Sequence, residues 1–248
     1  MEFLQNPNLP ESDVVCAAMS GTYTSLIRCL QTLGITIITV EPNENMNVSV
    51  SDHVDMQIHH LGGSEIIIEK TQQRIMKAFA DQGFHAIQSC GMAGNQYPGD
   101  VLLNAARAGN KLLAKVSALD KMIKDYSFKN HLQLINVNQG YAKCSTVIVD
   151  ERSIITADQS IANAALKNEM DVLVIRPGYV ELKGHDYGFL GGACGKIGRD
   201  LIAFTGNIEL HPDFTKISTF CRLRNVSVLS LTNTPLKDIG GIMPLIQK

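Results

Sequence analysis

Ile66-Ile67-Ile68-Glu69-Lys70-Thr71 is one of a series of apolar runs that recurs along the chain. Leu112-Leu113-Ala114-Lys115-Val116-Ser117, Ile154-Ile155-Thr156-Ala157-Asp158 and Leu201-Ile202-Ala203-Phe204-Thr205 follow it, with starts 46, 42 and 47 residues apart. Val14-Val15-Cys16-Ala17-Ala18-Met19 begins 52 residues earlier. A period in the forties marks an array of supersecondary units. Each run leads into a helix start and an amphipathic pattern. After Thr71, Ile75, Met76 and Phe79 share one helical face. Ser117-Ala118-Leu119-Asp120 reads as a capping box, Asp158 or Ser160 opens the next helix, and Pro212-Asp213 opens the last. Thr22 or Thr24 opens the first. A closing strand follows each helix: residues 35–40, 86–88, 132–137, 172–175 and 226–229.

Before four of the five central runs lies a further strand, joined to it by a tight hairpin; Gly62-Gly63-Ser64 and Asp150-Glu151-Arg152 have the turn chemistry. The first unit lacks this strand, and the chain ends on an unpartnered segment, Leu236 to Ile246. The expectation is closure, with the C-terminal strand completing the N-terminal unit. No linker divides the chain, so one domain over residues 1–248 is expected. Its units cover about 12–45 plus 234–248, 52–90, 98–138, 140–177 and 184–232.

Composition narrows the function. The chain has 248 residues, a formal charge of −2, 45% hydrophobic and 19% charged residues, which excludes disordered, collagenous and coiled-coil classes. It has no basic block for nucleic acid. Six scattered cysteines without a CxxC pair read as reduced thiols rather than a zinc site or a disulfide scaffold. No run of 18 apolar residues and no signal-like N-terminus occur, so a cytoplasmic protein without membrane contact is expected.

Aligning the unit openings, Asp55, Asp100, Lys143, Asp186 and Asp238 take one position, spaced by 45, 43, 43 and 52 residues. Around a pseudo-five-fold axis they would form a funnel of four carboxylates and one ammonium. Even at an effective dielectric of ~20, a like-charged pair at 4 Å costs roughly 4 kcal/mol, so the cluster invites water, a metal ion or a cationic ligand. The competing reading is that each aspartate only caps a recurring turn. Tyr141 and Tyr187 flank two of the positions and could orient a ligand. His185 could reach the funnel mouth.

With these residues in place, the sequence resembles the pentein, or guanidino-group-modifying enzyme, superfamily. Gly99-Asp100-Val101-Leu102-Leu103 resembles the glycine-aspartate strand of dimethylarginine hydrolases and arginine deiminases, whose carboxylate orients the catalytic histidine. Val54-Asp55-Met56-Gln57-Ile58 resembles the strand whose acidic residue grips the guanidinium. Residues 139–145 and 186–192 resemble an uncharacterised bacterial branch of the fold. The resemblance implies an α/β five-bladed propeller of ββαβ units. It also implies a catalytic cysteine after a glycine-rich turn in the last strand and a histidine opening the penultimate unit. Here Gly240-Gly241 is followed by Met243, Pro244 and Leu245, no cysteine occurs after Cys221, and the histidine slot falls near Tyr141.

Cys144 adjoins Lys143, yet strand alternation would turn the two to opposite faces. Cys194, in the Gly191–Gly198 stretch, would lie at a hairpin tip. These two and His185 are the weak catalytic candidates. A Walker A reading of Gly191–Gly198 fails at Leu190 and Ile197, and His59-His60 make poor metal ligands as a pair. The expected function is binding of a small cationic or zwitterionic, arginine-like molecule in the channel through Asp55, Asp100, Lys143, Asp186 and Asp238, without a cofactor or a resident metal. The alternatives are a guanidino or amidino hydrolase using another thiol or a metal-bound water, and a non-enzymatic scaffold with a protein partner.

Overall fold

Five small sheets follow one another along the chain in the computed structural model, which describes residues 1–248. The first unit is formed by β1 (Glu2–Phe3), β2 (Val14–Ser20), α1 (Thr24–Thr32) and β3 (Thr36–Val40). A helical turn α2 (Val54–Gln57) leads into β4 (Ile58–Gly62), β5 (Glu65–Ile68), α3 (Gln73–Asp81) and β6 (His85–Gln88). The third unit is β7 (Ala106–Ala108), β8 (Lys111–Ala114), α4 (Lys121–Lys129) and β9 (Gln133–Asn136). The fourth is β10 (Thr146–Ile148), β11 (Ser153–Thr156), α5 (Gln159–Lys167) and β12 (Asp171–Val174). The fifth is β13 (Cys194–Gly198), β14 (Leu201–Phe204), α6 (Phe214–Arg222) and β15 (Ser227–Ser230), and β16 (Met243–Gln247) ends the chain.

In units two to five an antiparallel hairpin is followed by a parallel strand across the helix. The first unit obtains its antiparallel strand from the far end of the chain: β16 pairs with β2, Met243 opposite Ala18 and Pro244 opposite Ala17. Its sheet order is β1-β16-β2-β3, so the C-terminal strand sits where sequence periodicity asks for it. Strand pairing stays within each sheet; the fold is mixed α/β with five separate sheets and no closed barrel. No helix is long and apolar enough to cross a membrane.

Why the central runs are apolar throughout is visible in their packing. Alternate residues of a strand point to opposite faces, and here each face meets a different apolar cluster. Ile66 and Ile68 enter a cluster shared with the first unit's Cys16, Ala18 and Ile38, while Ile67 enters one shared with Leu112 and Ala114 of the third. Leu113 packs with Ile154 of the fourth unit, Ile155 with Ile202 and Phe204 of the fifth, and Ala203 with Ala17 and Met19 of the first. Five wedges thus join each unit to the next, and the fifth unit to the first.

The five aligned openings are not strands. Asp55 lies in α2, Asp100 and Lys143 in turns, Asp186 in a loop, and Asp238 beside a single bridge between Lys237 and Glu181; the strands begin after them. Each polar segment is bent because its polar groups bond to neighbouring backbone, as where Ser145 N donates to Tyr141 O (2.9 Å) and Thr146 N to Lys143 O (3.1 Å). Asp120 and Asp158 cap their helices, accepting from Met122 N (2.8 Å) and Ile161 N (2.9 Å).

His59 and His60 on β4 are both buried. Burial and the Arg107 charge push His59 down to about 3 and His60 to about 4. Between those values and the ordinary 6.5 the unfolded chain binds more protons than the folded one, so stability present above about 6.5 is lost as pH falls. A His59→Gln/His60→Gln variant should lose melting temperature less steeply than the parent between pH 6.5 and 4; parallel profiles would contradict this origin of acid sensitivity.

Candidate functional site

The turns that precede β4, β10 and β16 deliver a buried polar centre. His53 and Asp55 come from the entry to α2, Cys144 and Lys143 from the turn before β10, and Asp238 from the segment before β16. His53, Asp55 and Asp238 are 1%, 2% and 1% exposed, and Cys144 is equally enclosed. The Cys144 thiol donates to Asp55 Oδ2 at 3.0 Å. His53 Nδ1 lies 3.7 Å from Asp238 Oδ1. A ring nitrogen of His53, Cys144 Sγ and an Asp238 oxygen all fall within 4.8 Å of one another.

A frame of amides holds these groups. Asn104 donates from Nδ2 to Cys144 Sγ and to Asp55 O, both at 3.2 Å, while its Oδ1 accepts Lys143 N at 2.7 Å. Asp238 accepts Phe189 N at 2.9 Å and Gly240 N at 3.1 Å. Lys143 Nζ reaches Gly191 O at 3.4 Å. Two glycines are required by closeness: a Cβ on Gly192 would collide with the Asp238 carboxylate, and one on Gly240 with His53.

The chemistry of the centre follows from its burial. Desolvation pushes Asp55 up to about 6, against the pull of Lys143 and His53. Desolvation, then the Asp55 and Asp238 charges, raise the Cys144 thiol well above its usual range. Cys194 is pushed up to about 12 by burial. Neither is a ready thiolate, the form that attacks carbon. Four polar atoms of the centre have no hydrogen-bond partner: both His53 ring nitrogens, Asp55 Oδ1 and, nearby, Asp100 Oδ1. A buried polar group left so costs about 1–3 kcal/mol. The space beside Asp55 and Lys143 is about 20 Å³, and a second space of about 10 Å³ touches Lys143 and Cys194.

The remaining sequence candidates divide. Asp100 is buried and accepts Tyr141 Oη at 2.6 Å, and Tyr141 stacks between Tyr97 and Phe189. Asp186 is exposed and makes no side-chain hydrogen bond or ion pair, so it does not join Asp55, Lys143 and Asp238; two residues on, Gly188 packs closely against Asp238. Tyr187 is half-exposed at a separate pocket of about 180 Å³ with Arg176, Tyr179 and Ser145. His185 is exposed and bonds Ser49 Oγ at 2.8 Å, away from the centre. Cys194 is not at a hairpin tip; it opens β13, buried, and the tip is Arg199-Asp200. Cys144 does not turn away from the polar centre either. Residues 141–145 form a turn, where successive side chains rotate by roughly 100° instead of alternating, so Lys143 and Cys144 both border Asp55. His53 and Asn104 were not among the sequence candidates; the only signal for His53 was its place two residues before Asp55.

Iodoacetamide should label exposed Cys90 in the folded protein and spare Cys144 and Cys194 until denaturant is added. Labelling of Cys144 in native buffer would reveal a thiolate that this geometry does not provide. Gly192→Ala should destabilise the protein by about 1–3 kcal/mol through overpacking against Asp238, read as a lowered denaturation midpoint.

No curated protein matches the sequence. Solved structures do match the fold. DDAH from Pseudomonas aeruginosa, a mutant complexed with citrulline, superposes with a TM-score of 0.57 at 10% identity, over 95% of this chain and 100% of that one. Inosamine-phosphate amidinotransferase from Streptomyces griseus gives 0.59 at 11% identity over 99% and 97%. C. jejuni agmatine deiminase gives 0.57 at 8% over 93% and 90%. A model of a family of unknown function, DUF6873, matches residues 18–243. The chain therefore belongs to the DUF6873 family, and its fold is that of the pentein superfamily.

Proposed function

We propose that this protein binds a cation at the centre of a five-bladed ring of ββαβ units and does not carry out thiol-dependent guanidine hydrolysis. The observation that carries the reading is the set of buried acceptors without partners, Asp55 Oδ1, Asp100 Oδ1 and the His53 ring. Unpartnered acceptors in a low-dielectric site are stabilised by a positive charge placed among them. Lys143 supplies one such charge, and its Nζ reaches the Gly191 carbonyl.

Asp55 is the residue that grips the cation. The matched neighbours include an agmatine deiminase and an amidinotransferase, and a guanidinium pairs with a carboxylate through two parallel bonds. The roughly 20 Å³ beside Asp55, lined also by Lys143 and Arg107, takes one water-sized group. Against hydrolysis stand the raised Cys144 and Cys194 thiols and the absence of a cysteine after Gly240-Gly241. One feature favours hydrolysis as a second reading: Cys144 Sγ lies 3.0 Å from Asp55, within reach of any guanidinium held there.

A thermal-shift series with arginine, agmatine, ammonium and divalent metals tests both. At a ligand concentration 100 times Kd, binding to the folded form alone adds about 2.7 kcal/mol, a rise of roughly 5–10 °C. Asp55→Asn should abolish that rise. Assays on arginine and agmatine should show no release of ammonia or urea. A rise that survives Asp55→Asn contradicts the binding reading, and product formation lost in Cys144→Ser establishes the hydrolase.

A further inference from the structure

We propose that His53, Asp55, Cys144 and Asp238 together bind one divalent metal ion of the zinc class. The proposal rests on the reading that the centre takes a cation, and names that cation. A tetrahedral zinc ion has bonds of about 2.0–2.3 Å, which sets its ligand atoms about 3.3–3.8 Å apart. The Cys144 Sγ to Asp55 Oδ2 separation is 3.0 Å and that of His53 Nδ1 from Asp238 Oδ1 is 3.7 Å. The widest gap in the His–Cys–Asp set is at most 4.8 Å. His53, Cys144 and Asp238 form the convergent set, and Asp55 adjoins it through the sulfur, as the fourth donor of the proposed site.

Independent of the acidic pair, the His53 ring points to a ligand. It is 1% exposed, and neither nitrogen has a hydrogen-bond partner. An imidazole facing a thiol and a carboxylate in a dry site offers the donor set that divalent metals take. Outer contacts of the usual kind are present. Asn104 Nδ2 donates to the sulfur at 3.2 Å, and the backbone amides of Phe189 and Gly240 fix the Asp238 carboxylate.

Charge and softness choose the ion. Two carboxylates and one thiolate carry three negative charges, and a divalent ion with the Lys143 ammonium carries three positive ones. Binding releases the Cys144 proton to solvent, a sulfur–metal bond replacing the sulfur–hydrogen bond. Thiolate and imidazole select zinc or cobalt over magnesium and calcium, which need more oxygen ligands. With every ligand buried, no open position faces substrate, so the ion is structural and ties together the turns entering β4, β10 and β16.

The test uses full-length protein carrying Cys29→Ser and Cys90→Ser, which removes the two thiols that are not buried. After chelation, cobalt(II) is titrated in and the absorption spectrum recorded, followed by zinc and the melting temperature. The expected result is one equivalent bound, tetrahedral cobalt bands with a thiolate charge-transfer band, displacement by zinc, and a zinc-dependent rise in melting temperature. Cys144→Ser should lose the thiolate band and weaken binding by more than the roughly 100-fold that losing an outer contact costs, whereas Cys194→Ser should keep the band. The parent spectrum decides by itself if Cys144→Ser does not fold. No thiolate band, or a band that depends on Cys194, overturns the proposal. If metal fails while arginine, agmatine or ammonium still stabilises through Asp55, the metal assignment falls and cation binding stands; if all fail, both fall.

Discussion

Each inner strand of this protein is apolar on both faces, and that constraint organises everything else. A strand such as β5 cannot satisfy Ile66, Ile67 and Ile68 by packing on its own helix alone; the opposite face needs a neighbouring unit. Five units meet the demand by handing one face to the next along the chain. The last face is closed by β16 pairing with β2, which puts the C-terminus into the first sheet. With the wedges apolar, the polar residues of each unit are left to the turns that enter the hairpins. Three of those turns meet at His53, Asp55, Cys144 and Asp238.

That centre differs chemically from a thiol hydrolase. A nucleophilic cysteine needs a positive neighbour and some access to water, which stabilise its thiolate. Cys144 instead faces two carboxylates at full burial, an environment that holds the proton on sulfur and lets the thiol donate to Asp55. Lys143 is the opposing charge that acts most on Asp55. Only a further cation between the acids changes this balance, by making the deprotonated sulfur and both carboxylates favourable together. Nucleophilic attack and metal ligation both require the thiolate, and at full burial between two carboxylates only a cation supplies the charge that stabilises it.

Much of the fold was legible because its signals are local or periodic. The hydrophobic runs, the Gly62-Gly63-Ser64 and Asp150-Glu151-Arg152 hairpins, and the orphaned last segment each follow from burial and turn chemistry. Asp55, Lys143 and Asp238 were found by repeat position alone, and they do come together. The same rule failed at Asp186, where the loop is longer and Gly188 yields its place to Asp238. Cys144 was assigned to the wrong face because a segment before a strand was read as strand; a turn changes the direction of every side chain in it. His53 carried no sequence signal strong enough to separate it from any other lone histidine. Its meaning comes from the Gly240 turn that packs against it and from Asp238, nearly two hundred residues away in the chain.

The most direct measurement is a high-resolution crystal structure of the protein purified without added ligands. Cation binding at the centre predicts electron density that belongs to no protein atom, within about 2–3 Å of Asp55 Oδ1 and a His53 ring nitrogen. A centre collapsed on itself, with His53 hydrogen-bonded to Asp238 and Asp55 satisfied by protein donors alone, would contradict it.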